Sequence, residues 1–478
     1  MSTEAGEKSV VSEPAVEIGA GHETIPEADT GLRRGLKNRH IQMIALGGAI
    51  GTGLFYGSAT SIGMAGPSIT LAYLFGGAVI FLIMRALGEM SVHTPVSGAF
   101  SHYALRNWGP FPGFFSGWNY WFTYVVVSMA ELSVVGIYIN YWLPDVPTWV
   151  SAAIFLVLVT AVNLVNVKAY GEFEFWFAAI KVVAIIAMIG LGAAIILFGL
   201  GNGGDATGIS NLWAHGGYFP HGIWGMITAL VVVMFSFGGV ELVGITAGEA
   251  ENPRRTIPKA INQVVYRILI FYVGAVFVIL CIFPWNQIGT VGSPFVVIFD
   301  RVGIAGAATL LNVVVLTAAL SAYNSGLYSN GRMLYNLSLQ GNAPRYLSKL
   351  SKSGSPYAGV LTSSAVTGLV VVLNLLFPGK VFLYLISVAT IAAIFNWAMV
   401  VVTQMKFRRR IGAAEVDRLG FRMPFFPVAN YVVLAFLGGV VILMGFLPDF
   451  RYALYVGPVW VAVLYAAYRI KASTSHAG

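Results

Sequence analysis

The chain has 478 residues, of which 57% are apolar and only 10% are charged, and its formal net charge is +8 at pH 7. Together with a mean hydropathy of +0.77, this composition excludes a soluble globular domain and predicts an all-α polytopic membrane protein. The single cysteine, Cys281, excludes an intramolecular disulfide and a cysteine metal cluster.

The two ends of the chain differ from the apolar region between them. Residues 1–32 are rich in acidic side chains with scattered proline, glycine and serine, a composition that cannot bury enough apolar area to fold alone. The first 40 residues also lack a basic start followed by an apolar core, so we expect no cleavable signal peptide. We expect a disordered cytoplasmic tail over residues 1–32, one membrane domain over residues 33–471 and a short cytoplasmic tail over residues 472–478.

Apolar runs of about 20 residues, long enough to cross a bilayer as a helix, predict twelve membrane spans. These spans are 42–65, 68–91, 113–142, 149–167, 175–200, 223–248, 264–284, 304–335, 357–377, 381–404, 426–447 and 452–470. Of the 28 basic residues, Arg301, Lys380 and Arg451 fall on one side and Lys181 lies within a span, which leaves 24 on the other. The positive-inside rule identifies that side as the cytoplasm, with both termini there and the protein in the cell (plasma or inner) membrane.

The basic residues lie in separate loops between spans. Their charge therefore indicates topology and contact with an anionic lipid bilayer, and it excludes a nucleic-acid surface.

Two spans are interrupted by glycine-rich stretches, residues 47–53 (GGAIGTG) and 235–241 (FSFGGVE). Glycines in membrane helices can be simple packing notches, but unwound backbone at membrane depth is tolerated only where it lines a protein-walled cavity. The stretches lie in spans 1 and 6 and so open two sets of five spans, which is typical of inverted-repeat secondary transporters. We expect repeat one over residues 42–200, repeat two over residues 223–404 and two extra helices over residues 426–470.

The chemistry of the two interruptions favours a zwitterionic ligand. Freed amides at the start of a half-helix carry partial positive charge and suit a carboxylate, while freed carbonyls at the end of another half-helix suit an ammonium group. The pair therefore predicts a site for an amino acid.

Four segments resemble the amino acid transporter family of the amino acid–polyamine–organocation superfamily: residues 34–42 (RGLKNRHIQ), 50–55 (IGTGLF), 171–177 (GEFEFWF) and 238–250 (GGVELVGITAGEA). The resemblance covers nearly the whole chain after residue 31. It implies a five-plus-five inverted repeat of the LeuT type, with discontinuous helices 1 and 6 and two extra C-terminal helices. The activity that it implies is proton-coupled amino acid uptake by a permease.

Carried over position by position, the resemblance also implies site residues. The substrate carboxylate would meet the backbone of Ile50, Gly51, Thr52 and Gly53. The ammonium would meet the carbonyls of Phe235, Ser236 and Phe237. Backbone recognition of the head group leaves selectivity to side chains, with Phe235 and Phe237 the first candidates and helix packing the alternative for both rings.

Three ionisable residues within predicted spans, where charge is costly and usually functional, are candidates for proton coupling. The resemblance puts Lys181 beside the first interruption, where sodium-coupled relatives of the fold hold a cation, and its alternative is a lysine that reaches the membrane interface. Glu241 directly follows the second interruption, and its alternative is a structural carboxylate. Glu131 lies in the middle of span 3 and could pair with a polar partner or line the substrate path, and the structural role is slightly favoured. Amide variants would separate these roles, because a coupling residue should lose accumulation while retaining exchange or binding.

Other polar residues are weaker candidates. Asn324, with its neighbours Tyr323 and Ser325 in span 8, and Asn396 in span 10 could contact ligand or simply join helices. Arg332 resembles part of a cytoplasmic gate. No catalytic triad, nucleotide-binding loop or metal-ligand spacing occurs in a plausible setting, so we expect neither an enzyme nor a cofactor.

Substrate identity rests on a mixture of resemblances. Residues 117–121, 129–132, 234–239 and 323–330 resemble the aromatic amino acid and phenylalanine permeases, whereas residues 54–59 and 84–93 resemble the proline and histidine permeases. Because the second interruption belongs to the first group, we favour phenylalanine, tyrosine and tryptophan, with proline, histidine or another neutral amino acid as the alternative. A channel or a nutrient sensor that does not translocate its ligand is the alternative from a different class. We expect a monomer or a weak homo-oligomer.

Overall fold

The computed structural model of the chain describes residues 43, 50–96, 98–165, 167–246, 252–288, 295, 306–352 and 354–476. They all belong to one compact unit, Arg33–Gly478. The described residues are mainly helical and include no β-strand. The predicted tail of residues 1–32 and residues 47–49 of the first glycine stretch lie outside the described residues.

The helices of the first half are α1 (Thr52–Phe55), α2 (Gly57–Ala65), α3 (Ile69–His93), α4 (Ala99–Asn107), α5 (Pro110–Asn140), α6 (Thr148–Val165) and α7 (Val167–Phe198). Those of the middle are α8 (Asn211–Ala214), α9 (Gly222–Ser236), α10 (Leu242–Thr246), α11 (Pro253–Arg267), α12 (Ala275–Ile282) and α13 (Ala307–Leu339). The last are α14 (Tyr357–Thr367), α15 (Leu369–Leu376), α16 (Val381–Ile411), α17 (Ala413–Arg418), α18 (Val428–Phe446) and α19 (Ala453–His476). A π-helical segment, Ile268–Gly274, joins α11 to α12.

Among the described residues, nine helical stretches are long and apolar enough to cross a membrane. Two shorter apolar helices, Thr148–Leu164 and Gly222–Ser236, lie within predicted spans 4 and 6. The protein is therefore a multi-pass membrane protein.

Several helices extend beyond the spans that apolar composition predicts. Helix α7 begins at Val167, eight residues before the predicted start of span 5, and α16 continues to Ile411, seven residues past the predicted end of span 10. The last turn of α16 carries three arginines, and Gly412 follows with φ 78°. Cations near a helix C-terminus interact favourably with the helix dipole, so α16 continues past its apolar part. It ends at Ile411 because the following glycine accepts a positive φ without strain and so terminates the helix.

Helix α5 is the centre of the packing. It packs most extensively along α13 and α16, and these helices share one continuous apolar core with α3 and α9. Polar contacts add to this packing: Asn119 of α5 donates to Asn396 Oδ1 at 2.8 Å, and Asn396 donates to Thr123 Oγ1 of α5 at 2.9 Å. Interhelical amide and hydroxyl bonds of this kind hold membrane helices together.

A buried carboxylate ties the end of α3 to the end of α16. Glu89 is fully buried and accepts two hydrogen bonds from the Arg408 guanidinium, each 2.6 Å long. Gln404 Nε2 and the backbone N–H of Met423 also donate to the carboxylate, at 2.9 and 2.6 Å. The ion pair therefore joins two long helices and the loop that follows α17.

We predict that Glu89→Ala lowers the stability of the detergent-purified protein by about 3 kcal/mol, because removal of one partner leaves the Arg408 charge uncompensated. Thermal unfolding followed by intrinsic fluorescence would show a clearly lower Tm. The matched control is Glu415→Ala, which breaks an exposed pair with Arg418 of 3.8 Å and should change stability by less than about 1 kcal/mol. Equal Tm shifts in the two variants would contradict the prediction.

Candidate functional site

The first interruption ends at the start of α1. Ile50 and Gly51 are not helical, and Gly51 caps α1 in an extended conformation. Helix α1 lasts only from Thr52 to Phe55 before Tyr56 separates it from α2. The backbone N–H of Thr52 lies in the first turn of this short helix, where amides have no partner inside the helix.

The second interruption follows α9. Helix α9 ends at Ser236, residues 237–241 form turns, and α10 starts at Leu242. Gly239 has φ 94°, a backbone conformation that L-side chains rarely adopt. The carbonyl of Phe235 accepts from Gly238 N–H at 2.9 Å, and the Tyr272 hydroxyl donates to the Ser236 carbonyl at 2.9 Å. Each carbonyl keeps a second lone pair for another donor.

The two interruptions touch. The Ser236 hydroxyl donates to the Gly53 carbonyl at 2.9 Å. A Cβ atom added to Gly53 would lie 2.7 Å from the Ser236 Cα, which is closer than real Cβ atoms come to other heavy atoms. Glycine at position 53 therefore permits the direct contact between the backbones of the two unwound segments.

A cavity of about 40 Å³ opens beside this contact. It is lined by Gly51, Gly53, Thr123, Tyr124, Val127, Glu131, Phe235, Ser236, Gly238, Gly239, Glu241, Ala322, Ala389 and Ala393. These residues come from both interruptions and from α5, α13 and α16. The volume suits about three water molecules, so the walls must separate to admit an amino acid.

The carboxylate of Glu131 lies at the amide end of α1. The Thr52 N–H donates to both carboxylate oxygens, at 3.3 and 3.4 Å, and Glu131 Oε1 would be 2.6 Å from a Cβ atom on Gly51. Glu131 is 3% exposed. A carboxylate side chain of the protein thus occupies the position where the sequence predicts the carboxylate of a ligand.

Lys181 lies on the other side of the first interruption. Its ammonium group donates to the Ile50 carbonyl at 3.2 Å and to the Ser321 hydroxyl of α13 at 2.9 Å. The side chain is completely buried, so it does not reach the membrane interface. The lysine instead satisfies a carbonyl freed by the interruption.

Glu241 lines the same cavity as Glu131. It is 2% exposed, and the Tyr124 hydroxyl donates to its Oε1 at 3.1 Å. Its Oε2 has no hydrogen-bond partner among the described residues. One oxygen of this carboxylate is therefore held by α5.

The structure separates the predicted residues of the second interruption. Phe235 and Ser236 line the cavity, and the Phe235 ring packs edge-on against Phe382 at 6.3 Å. Phe237 is not among the lining residues, because its fully buried ring packs between Tyr73 and Tyr272, at 6.0 and 5.0 Å. In the first interruption Gly51 and Gly53 line the cavity, whereas Ile50 and Thr52 stand beside it through their Lys181 and Glu131 bonds.

The weaker candidates do not line the cavity. Asn324 accepts from Asn163 Nδ2 of α6 at 2.8 Å, and Asn396 belongs to the α5–α16 contacts, so both join helices. The Arg332 guanidinium packs on the Tyr328 ring at 3.2 Å.

Sequence analysis missed other buried charged residues. Glu174 is fully buried inside α7 and Glu89 inside α3, although both lie close to the predicted ends of spans 5 and 2. Arg267 is 1% exposed at the end of α11. Glu174 was excluded because it lies one residue before the apolar run that predicts span 5. A count of every ionisable side chain in or near a predicted span would have found Glu174, Glu89 and Arg267.

Comparison with known proteins identifies the family. The sequence profile of the family described as "Amino acid permease" matches residues 40–477. The chain belongs to the amino acid permease family. Among its relatives are the uncharacterized amino acid permease YtnA of Bacillus subtilis, 53% identical over 91% of this chain and 94% of that protein. The aromatic amino acid transport protein AroP of Escherichia coli strain K12 is 52% identical over 93% of this chain and 97% of its own length.

AroP of Salmonella typhimurium strain LT2 is also 52% identical to this permease, over 93% of this chain and 96% of that protein. Among the described residues, no group of three or more His, Cys, Asp or Glu side chains is placed to hold a metal ion. The chemical groups that the cavity of this permease offers are backbone amides, carbonyls, hydroxyls and two carboxylates.

We predict that Gly53→Ala reduces amino acid uptake by roughly tenfold or more, because the added methyl group separates the two interruptions and removes at least one hydrogen bond. Uptake into cells of a labelled amino acid that the unmodified permease carries, normalised to the permease content of the membrane, measures the effect. Gly63→Ala is the matched control, since its Cβ atom would meet nothing within 4 Å. Normal uptake by the Gly53 variant would show that the contact between the interruptions is dispensable.

Proposed function

We propose that this permease carries aromatic amino acids into the cell together with protons. The proposal includes twelve membrane spans, a five-plus-five inverted repeat and both termini in the cytoplasm. The observation that carries it is one cavity walled by both interruptions, with the carboxyl group of Glu131 lying on the amide end of α1.

The repeat is supported by the positions of the interruptions. Each falls in the first of five predicted spans, and each continues into a short helix, α1 or α10. Inverted repeats place corresponding half-helices on opposite sides of a site near the middle of the membrane. Helices α18 and α19 follow the second set as the extra pair.

Head-group recognition follows from the backbone polarity of the two segments. The amides around Gly51, Thr52 and Gly53 suit the substrate carboxylate, and the carbonyls of Phe235 and Ser236 suit its ammonium group. Both groups are common to all α-amino acids, so this part of the site selects a class of substrate. The side chains on the remaining walls would then select among members of that class.

Aromatic specificity is supported by the apolar side chains that line the cavity and by the relatives. Val127, Phe235, Ala389 and Ala393 provide apolar surface, and the small alanines leave room for a planar ring when the helices separate. The AroP relatives, named as aromatic amino acid transport proteins, match over nearly the full length of the chain. A substrate ring stacked near Phe235 would contact this apolar surface.

Proton coupling is supported by the position of Glu131. A substrate carboxylate and an ionised Glu131 compete for the same amides and repel each other in a site with little water. A protonated Glu131 removes the repulsion, and it can release the Thr52 N–H to the substrate. Binding of the amino acid would therefore favour uptake of a proton, and two further candidates to respond are Lys181, which interacts electrostatically with Glu131, and Glu241, which lines the same cavity.

We predict that purified permease in proteoliposomes accumulates labelled phenylalanine against its gradient when an inward proton gradient is imposed. Tyrosine and tryptophan should compete, and proline, histidine and threonine should compete weakly. Uptake is measured by filtration with and without a protonophore, and protein-free liposomes are the control.

Other results in this assay would replace the proposal. Strong competition by proline or histidine would move the specificity to that alternative. Uptake that follows sodium would contradict the role of Lys181, and binding or equilibration without accumulation would favour a sensor or a channel.

We predict that Glu131→Gln removes most of the pH dependence of phenylalanine affinity. In the wild type, one proton released by Glu131 should raise KM by up to about tenfold per pH unit above its titration midpoint, because the ionised side chain competes with the substrate. KM measured from pH 5 to pH 8 in the exchange mode tests this dependence. Glu241→Gln is the comparison, since Glu241 lines the same cavity without lying on the Thr52 amide; an identical loss of pH dependence in both variants would contradict the assignment.

A further inference from the structure

A fully buried carboxylate on α7, Glu174, has no role in the site described so far. Its Oε1 accepts a hydrogen bond from the Ser321 hydroxyl at 2.6 Å. Its Oε2 has no hydrogen-bond partner among the described residues. A buried carboxylate with one free oxygen is costly, and inside a membrane protein such a group usually serves a function.

Glu174 and Lys181 are seven residues apart on the same helix. Seven residues make about two turns and about 10.5 Å, so the two side chains project from the same face of α7. Ser321 of α13 lies between them. It accepts from the Lys181 ammonium at 2.9 Å and donates its own proton to Glu174, so the three groups form an ordered chain.

This chain has two proton distributions that keep every hydrogen bond. Transfer of a proton from Lys181 Nζ to the Ser321 oxygen, with transfer of the Ser321 proton to Glu174 Oε1, produces a neutral amine, an unchanged hydroxyl and a carboxylic acid. Reversal restores the ammonium and the carboxylate. No bond other than those to hydrogen changes, and no co-reactant is needed. Both ends of the chain are buried, so the desolvation penalty disfavours the form in which Lys181 and Glu174 are both charged. The charged and the neutral forms are therefore closer in free energy than they would be in water.

The chain ends at the first interruption. Lys181 Nζ donates to the Ile50 carbonyl at 3.2 Å, next to Gly51 on the cavity wall. A charged ammonium binds this carbonyl more strongly than a neutral amine does. The proton position along the chain therefore changes how firmly the unwound backbone is held.

Other titratable groups near the chain are few among the described residues. Glu131 of α5 interacts electrostatically with Lys181. The neighbouring α12 and π-helical segment contribute only Cys281 and Tyr272 as titratable side chains. The charged residue of α13, Arg332, is 11 residues or about three turns from Ser321.

We propose that Glu174 is the proton-exchange partner of Lys181 and that Ser321 relays the proton between them. The inference rests on the proton coupling proposed above and adds a residue to it. Glu174 acts on the substrate site through Lys181 and the Ile50 carbonyl, so it is a positioning and proton-holding residue that does not itself contact substrate.

The test uses Glu174→Gln in proteoliposomes that contain a pH-sensitive dye. We expect counterflow exchange of phenylalanine to continue, because it needs no net proton movement. With an imposed proton gradient, the ratio of internal to external phenylalanine should fall to about one and dye-reported proton entry should no longer follow the substrate, since the coupling free energy is lost. Glu172→Gln is the matched control on the same helix and should behave as the wild type.

Substitution of Ser321, whose hydroxyl relays the proton, provides an independent test. Ser321→Ala should lose coupled proton entry as Glu174→Gln does, and Ser321→Thr, which keeps a hydroxyl, should restore it. Accumulation with wild-type proton entry in Glu174→Gln or Ser321→Ala would overturn the inference. Loss of counterflow in both variants without recovery in Ser321→Thr would assign them a structural role and overturn it as well. Failure of the wild type to couple proton entry to phenylalanine would instead reject the proposed function.

Discussion

The structure depends on one constraint: backbone polar groups that leave a helix inside a membrane must find partners within the protein. The described part of the two interruptions meets this constraint group by group. The Thr52 N–H has Glu131, the Ile50 carbonyl has Lys181, the Gly53 carbonyl has Ser236, and the Ser236 carbonyl has the Tyr272 hydroxyl. Two of these side chains, Glu131 and Ser236, also line the cavity, so groups that make unwinding tolerable are shared with the proposed ligand site.

This sharing implies that substrate binding is an exchange of partners. Glu131 already accepts from the Thr52 amide, and the cavity is too small for an amino acid. A ligand that enters must replace protein contacts by contacts of the same kind. Exchange of equivalent bonds costs little free energy, whereas breaking them without replacement costs the desolvation of each buried group. Such a site favours ligands that carry both a carboxylate and an ammonium group.

Sequence alone predicted the helical membrane architecture and the two interruptions, because apolar length and glycine clusters are local signals, while the family resemblance placed Lys181 beside the first interruption. The directions in which individual side chains point were harder to predict from the sequence. Phe235 and Phe237 are two residues apart, which is about 200° around an unbroken helix, but α9 ends between them at Ser236. Because the helix breaks there, the sequence did not predict that Phe235 lines the cavity while Phe237 packs on Tyr73. Glu174 was missed because it lies one residue before the predicted start of span 5, and its contact with Ser321, 147 residues away, leaves no local pattern.

The ion pair between Glu89 and Arg408 has a consequence for biosynthesis. The two residues are 319 positions apart, so at 5–20 residues per second the carboxylate is made roughly 15 to 60 seconds before its guanidinium partner. During that interval α3 must reside in the membrane with an unmatched acid. Glu89 lies only four residues before the last residue of α3, His93, so it can stay hydrated at the bilayer surface until α16 arrives. The order of synthesis therefore favours a late-formed ion pair near the end of a helix over one at its centre.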